Sequence, residues 1–170
     1  MREPLVQQAQ HGDKAAFKAL YDDNVGRVYA LALRMLGNRS QAEDVTQEVF
    51  ISAWKQLAHF RGESKFSTWL YSIATARISD HCRKHKNWHL VGELHEGELN
   101  RGNDPQNHLT LALEQAIQRL PAQARSVFVL YAIEGFGHRQ VAEMLEIAEG
   151  SSKAQFHRAR QLLKEWLKDE

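Results

Sequence analysis

Near the C-terminus, Lys153, His157, Arg160 and Lys164 recur at helical spacing, with Ser151, Ser152 and Arg158 beside them. Phe156, Ala159, Leu163 and Trp166 recur at the same spacing on the opposite side. A helix of this kind buries one stripe and presents cations on the other. Cations and short hydrogen-bonding groups on one helical face are chemistry for phosphates and base edges. A solvated amphipathic helix has the same pattern, so the neighbouring segment decides. Val141, Ala142 and Leu145 space as a short helix ending near Glu146, and the next helix starts near Gly150. A short helix, a tight break and a longer basic helix are the layout of a helix-turn-helix, whose second helix enters the major groove of duplex DNA.

A second basic run holds Arg77, Arg83, Lys84 and Lys86 against a single Asp80. Upstream of it stand Phe60, Arg61, Lys65, Phe66, Trp69 and Tyr71. Stacking surfaces beside a basic track suit single-stranded DNA. Phe66, Trp69 and Leu70 at helical spacing read equally as core. Asp44, Gln47, Glu48 and Ile51 fall along one helical side, with Glu43 adjacent. That acidic set either complements a helix N-terminus or forms a docking face for a basic partner. His81, Cys82, His85 and His89 are zinc-type ligands, but Cys82 points off the histidine face and the neighbours are basic. No metal and no cofactor are expected. Paired catalytic carboxylates, a nucleophile elbow and a phosphate-binding glycine loop are all missing from the sequence, so no enzymatic activity is expected.

The 170 residues allow one medium or two small domains, and 43% hydrophobic content allows a real core. A net charge of +1 means that nucleic-acid affinity must come from local patches. One cysteine cannot form an internal disulfide, which fits a reducing compartment. The N-terminal residues lack the apolar run of a signal peptide, and no stretch approaches a membrane span. A soluble, cytoplasmic chain without membrane insertion is the expectation.

The elements that must carry these groups are helices. The sequence lacks the hairpin signal of alternating strands, and Pro4, Pro105 and Pro121 suit helix starts or a tail. Asp13 reads as the N-cap of a first helix that stops before Gly37. Ser40 with Glu43 reads as a capping box opening a second helix over 40–57. A loop over 59–64 leads to a third helix over 67–85. Residues 87–107 lose the period and gather Gly92, Gly97, Gly102 and several acids, which reads as a linker. Asp104-Pro105 opens a helix with Leu109, Leu113, Ile117 and Leu120. Pro121 opens another with Val127, Phe128, Leu130 and Tyr131, closed by Gly135. The fold class is therefore all-α: two small helical domains joined by a flexible linker, the C-terminal one a helix-turn-helix.

In order, the segments GDKAAFKALYDDNVGRVYALALRMLGN, AEDVTQEVFISAW, FRGESKFSTWLYSIA and LPAQARSVFVLYAIEGF, followed by the helix-turn-helix, span nearly the whole chain. Together they resemble bacterial sigma factors of the extracytoplasmic-function group. The resemblance implies that residues 1–86 are sigma region 2, 87–107 the linker and 108–170 region 4. It implies a non-catalytic specificity subunit that binds core RNA polymerase and directs transcription initiation at chosen promoters. Asp44, Gln47, Glu48 and Ile51 would grip the coiled coil of the polymerase clamp. Phe60, Arg61, Lys65, Phe66, Trp69, Arg77, Arg83 and Lys84 would melt and read the minus-ten element. Ser151, Ser152, Lys153, His157, Arg158, Arg160 and Lys164 would read the minus-thirty-five element, while region 4 touches the polymerase flap. The partners implied are core polymerase, double-stranded and melted promoter DNA, and an anti-sigma factor.

The chain departs from that pattern at four positions. Glu146 stands where glycine is usual, Ala154 where serine is common, Gln155 where arginine is common and Ala76 where asparagine is frequent. Upstream specificity is then expected to shift toward Lys153, His157 and Arg158. The competing function is a stand-alone helix-turn-helix regulator, which would need neither the acidic helix nor the aromatic melting segment.

Overall fold

The computed structural model describes residues 3–84 and 111–168, and no strand occurs among them. The linker expected over 87–107, its helix start at Pro105, and Lys86, His85 and His89 lie outside the described residues. The helices are α1 (Glu3–Gln10), α2 (Lys14–Leu36), α3 (Arg39–Gln56), α4 (Phe66–Lys84), α5 (Leu111–Arg119), α6 (Ala122–Phe128), α7 (His138–Leu145) and α8 (Glu149–Leu167). A short 3₁₀ turn, Leu57–His59, follows α3, and the chain widens to a π-helical turn over Val129–Ile133 after α6.

Local chemistry sets most of the ends. Asp13 caps α2 by accepting from the amides of Ala15 at 2.9 Å and Ala16 at 3.2 Å. Gly37 closes α2 in the left-handed region at φ +66°, donating its amide to Leu33 O at 2.8 Å. A capping box at Ser40 does not form. Asn38 is the N-cap of α3, in extended backbone, with its side chain accepting from the Gln41 amide at 2.9 Å. Ser40 already lies inside the helix, and Glu43 pairs with Arg39 at 3.2 Å instead of reaching back. Helix α1 has no counterpart in the sequence reading. It is eight residues long and buries only Val6 and Ala9, too little for a periodic signal.

Helices α2, α3 and α4 pack side by side over Val28, Leu31, Val45, Val49, Leu70 and Ala74, all buried. Helices α5 to α8 enclose Ile117, Leu120, Val127, Leu130, Val141, Ala159 and Leu163. The two layers meet at the C-terminal end of α2. Geometry leaves the last carbonyls of any helix without partners from the helix itself. Here the second layer supplies them. Gln118 donates its amide to Arg34 O at 2.6 Å, and Arg125 donates to Met35 O at 2.9 Å. Arg125 also donates to Gln118 O at 2.7 Å and Leu120 O at 3.0 Å, at 5% exposure. Arg34 pairs with the buried Glu114 at 3.3 Å. A Cβ at Gly37 would lie 2.7 Å from Gln118 Oε1 and push that amide aside, while the backbone angle itself favours glycine.

Further along the seam, Tyr71 of α4 meets Phe136 edge-on at 5.7 Å, and Arg27 reaches Glu134 at 3.9 Å. Burial pushes the Tyr71 phenol up to about 12, helped by the charge of Glu134. Burial also raises the Glu134 carboxyl, opposed by Arg27 and Arg34. Burial lowers the Arg125 guanidinium to about 10, which still leaves it cationic at neutral pH.

Arg125→Ala should strip three carbonyls of their donor and leave them buried. Hydrogen bonds from a charged donor contribute about 1.5–3 kcal/mol each, with strong non-additivity. The expected loss is about 3 kcal/mol of unfolding free energy, read from the urea midpoint. A loss under about 1 kcal/mol would mean that water replaces the guanidinium without cost.

Candidate nucleic-acid interface

Helices α7 and α8 form the helix-turn-helix. Gly137 precedes α7 in extended backbone, and the Gln140 side chain accepts from its amide at 3.2 Å. The apolar side of α7, Val141, Ala142 and Met144, is buried. Its end is a left-handed residue, Glu146, at φ 55° and ψ 45°. The Ile147 amide then closes on Ala142 O at 3.0 Å, which satisfies one of the terminal carbonyls. The turn that usually takes glycine is thus made here by glutamate, at the steric cost of a Cβ in the left-handed region.

Helix α8 starts one residue before the position expected, with Ala148 as an N-cap that offers no side chain. Ala159 and Leu163 are buried, while Phe156 and Trp166 are half-buried on the same stripe. Arg119 lies over the Trp166 ring at 4.3 Å and fixes the far end of α8 to α5. On the other side Ser151, Lys153, His157, Arg158, Arg160 and Lys164 are all exposed. Lys153 makes only a loose surface pair with Glu149 at 3.8 Å. Ser152 does not join this face. It is 0% exposed and shares a 2.9 Å hydrogen bond with His138, so it cannot reach a groove. One residue's step of 100° around the helix turns it inward. Ala154 is exposed, and Gln155 is drawn toward α6 by donating to Gln123 Oε1 at 3.0 Å.

In the first layer, α3 buries Ala42, Val45, Thr46, Val49 and Ala53. Asp44, Gln47, Glu48 and Ile51 share the opposite, exposed side, and Ile51 is 56% exposed. Two aromatic pairs join α2 to α3: Phe17 with Trp54 at 4.9 Å, and Tyr21 with Phe50 at 4.7 Å. Trp54, one helical turn after Ile51, and Tyr21, on α2, are partly exposed as well. The sequence reading did not single out either as a site residue, and Tyr21 is on a different helix, where no spacing rule within α3 could have found it.

The aromatic segment after α3 builds a cleft of about 580 Å³, lined in part by Phe60, Arg61, Lys65 and Phe66. Phe60 and Phe66 both lean on Trp69, with ring centroids 5.0 and 5.7 Å apart. The opposite wall comes from α1 and α2, through Val6, Gln10, Leu20 and Asn24. Gln10 donates to Leu57 O at 3.0 Å and Phe60 O at 2.8 Å, so α1 anchors the loop that carries Arg61 and Lys65. Gly62 in that loop has φ +72°. Arg77, Arg83 and Lys84 are not at the cleft. They lie further along α4, where Arg77 donates to Ser52 Oγ at 3.1 Å and the Asp80 carboxylate sits 4.0 and 3.9 Å from Arg77 and Arg83. Cys82 is half-buried beside Arg125, and burial pushes its thiol up to about 11, so it is a poor nucleophile at neutral pH.

Two sequence profiles match the chain: sigma-70 region 2 over residues 20–87, and sigma-70, region 4, over residues 110–163. The extracytoplasmic-function RNA polymerase sigma factor SigW of Bacillus subtilis is 34% identical, over 99% of this chain and 98% of its own. The RNA polymerase sigma-H factor of Pseudomonas aeruginosa is 30% identical, over 95% of this chain and 91% of its own. Among solved structures, the sigma factor RpoE in complex with the anti-sigma factor NepR, from Bartonella quintana, has a similar fold. Its TM-score is 0.71 at 24% identity, covering 89% of this chain and 96% of that one. CnrH, solved with the cytosolic domain of CnrY, gives a TM-score of 0.67 at 24% identity, covering 98% and 96%.

Glu146→Gly tests the strain in the helix-turn-helix break. A non-glycine residue in the left-handed region costs about 1–2 kcal/mol, and glycine gives part of that back through a more flexible unfolded chain. Thermal denaturation should therefore show a gain of about 0.5–1 kcal/mol. A destabilised variant would reveal a compensating contact made by the Glu146 side chain.

Proposed function

The chain belongs to the extracytoplasmic-function sigma factors of the sigma-70 family, and from that premise we propose how its surfaces divide the work of promoter-specific initiation. It is a specificity subunit of RNA polymerase. The observation that carries the division is that one acidic and apolar face, one aromatic cleft and one basic helix face occupy three separate surfaces.

The α3 face docks on the polymerase. Asp44, Gln47 and Glu48 offer charge and hydrogen bonds to a basic coiled coil. Ile51, with Tyr21 and Trp54 beside it, supplies the apolar area that a stable interface core needs. The second helical unit, 108–170, also meets the flap. The cleft of the first unit, 1–86, takes the minus-ten strand. A base turned out of the stack needs a pocket with an aromatic wall and cations for its backbone. Phe60 and Phe66 provide the wall, with Trp69 behind them, and Arg61 and Lys65 the cations. Arg77, Arg83 and Lys84 continue the path as phosphate contacts. The minus-thirty-five duplex takes α8, with Lys153, His157 and Arg158 toward base edges and Ser151, Arg160 and Lys164 toward backbone.

A stand-alone regulator leaves the docking face and the region 2 match without a purpose. The cytoplasm is the compartment that polymerase and promoter require, and no described helix is long and apolar enough to cross a membrane. An anti-sigma factor is a further partner we propose. The fold neighbour RpoE was solved bound to one, and the docking face is an accessible target for such a competitor.

This division requires the two layers to part. Elements about 25 base pairs apart are separated by roughly 85 Å of duplex at 3.4 Å per pair. A compact chain of this length has a radius of gyration of roughly 15 Å. The seam at Arg125 must therefore open on the promoter.

Two measurements test the scheme. Asp44→Lys with Glu48→Lys places like charges across the docking face, which costs several kcal/mol. Pull-down of core polymerase should fall at least about tenfold, in step with that cost. Retention at the wild-type level would falsify the docking assignment. Separately, dyes on cysteines introduced at Asp22 and Gln161, both exposed, in a Cys82→Ser chain report the distance between layers. Energy transfer should be high in the free protein and collapse when core polymerase and promoter are added. Transfer that persists in the full complex would mean that the seam stays closed.

A further inference from the structure

Helix α8 rests on a column of four rings drawn from four parts of the chain. Tyr131, in the π-helical turn, and His138, at the start of α7, lie 4.0 Å apart and 13° from parallel. Phe156 of α8 meets Tyr131 at 4.6 Å and His138 at 5.7 Å, and stacks on Phe128 of α6 at 6.0 Å. At the top of the column, His138 Nδ1 shares a 2.9 Å hydrogen bond with Ser152 Oγ. Ser152 is completely buried in the first turn of α8.

Most of what holds α8 to α7 is apolar and therefore non-directional. Val141, Ala142, Ala159 and Leu163 oppose separation, but they tolerate a small slide or roll. The His138–Ser152 bond does not, because a hydrogen bond weakens steeply with misalignment and a buried hydroxyl without a partner is costly. It bridges the two helices across the left-handed turn at Glu146. Its α8 end is the residue next to Lys153, and Lys153, His157 and Arg158 are the side chains aimed at bases. Those contacts need donors within about 3 Å of base-edge atoms, so a shift of α8 by a fraction of that distance alters which base fits.

We propose that His138 is a positioning residue for minus-thirty-five recognition: held flat against Tyr131, it fixes through Ser152 the angle at which α8 enters the groove. The proposal rests on the reading of α8 as the recognition helix. It makes specificity depend on a residue of α7 that touches no base in this scheme.

The test is promoter selection by reconstituted holoenzyme from a pool with a randomised minus-thirty-five element. His138→Phe keeps a ring against Tyr131 and removes the hydrogen bond. His138→Asn keeps a polar atom where Nδ1 lies and removes the ring. Ser152→Ala removes the other partner. His138→Phe and Ser152→Ala should each change relative preference about tenfold at the same one or two positions, the size of one misplaced base contact. The double variant should do no more than either single one, because both cut the same bond. His138→Asn should keep the wild-type ranking even where its melting temperature falls, which a purely structural role would not produce. A wild-type ranking in His138→Phe overturns the proposal, and so does an Asn variant that re-ranks as Phe does. Arg158→Ala is run beside them. If it re-ranks while His138→Phe does not, only the positioning role falls. If it also leaves the ranking untouched, the reading of α8 falls and the positioning role with it.

Discussion

The last turn of α2 leaves carbonyls that its own helix cannot satisfy, and the arrangement of the two layers follows from where their donors come from. Leu33 O is closed locally by the Gly37 amide. Arg34 O and Met35 O are closed by Gln118 and Arg125, more than eighty residues away in sequence. A guanidinium has five donors in a planar fork, so one Arg125 bonds to α2 and to the α5–α6 corner together. Burying that charge is tolerable only because three carbonyls surround it. A Cβ at Gly37 would push the Gln118 amide aside, in addition to the strain of the positive φ. One helix end thus ties together a glycine, a glutamine and a buried arginine.

Polar side chains of both layers bridge this seam. Its bonds are polar: an arginine–glutamate pair, an amide on a carbonyl, a guanidinium on a carbonyl and a half-exposed pair between Arg27 and Glu134. Polar groups exchange protein partners for water when they part, so their net contribution is modest. Tyr71 and Phe136 add an edge-on aromatic pair, and the buried apolar residues of the two layers join in one cluster, so the opening proposed above would also expose apolar area.

What the sequence made legible is what local chemistry decides. The Asp13 cap, the Gly37 stop, the stripe of Phe156, Ala159 and Leu163 and the outward set from Asp44 to Ile51 all follow from spacing within one helix. Most of the misses share a cause. At α3 the cap is Asn38 and not Ser40, and Glu43 pairs with Arg39. Helix α1 is held by Gln10 reaching a loop fifty residues later, which leaves no periodic trace. Tyr21 meets Phe50 from another helix, and Arg125 finds Met35 ninety residues away. Apart from the cap of α3, which is a local competition, each of these depends on a partner distant in sequence, where propensity and pattern carry no information.

Ser152 illustrates the same limit inside the site itself. By spacing it belongs with Ser151 and Lys153, yet it is buried and bonded to His138, while its two neighbours are exposed. Lys153, Arg158, Arg160 and Lys164 are exposed on long side chains with many rotamers, and such freedom does not discriminate between bases. Discrimination requires that the backbone beneath them be held in one place. That holding is done from below, by the ring column and the buried hydroxyl, and from the side, by a turn strained at Glu146. On the proposed reading of α8, the residues that would choose a sequence and those that would make the choice sharp are therefore different sets. A face read only from its exposed cations contains the first set and omits the second.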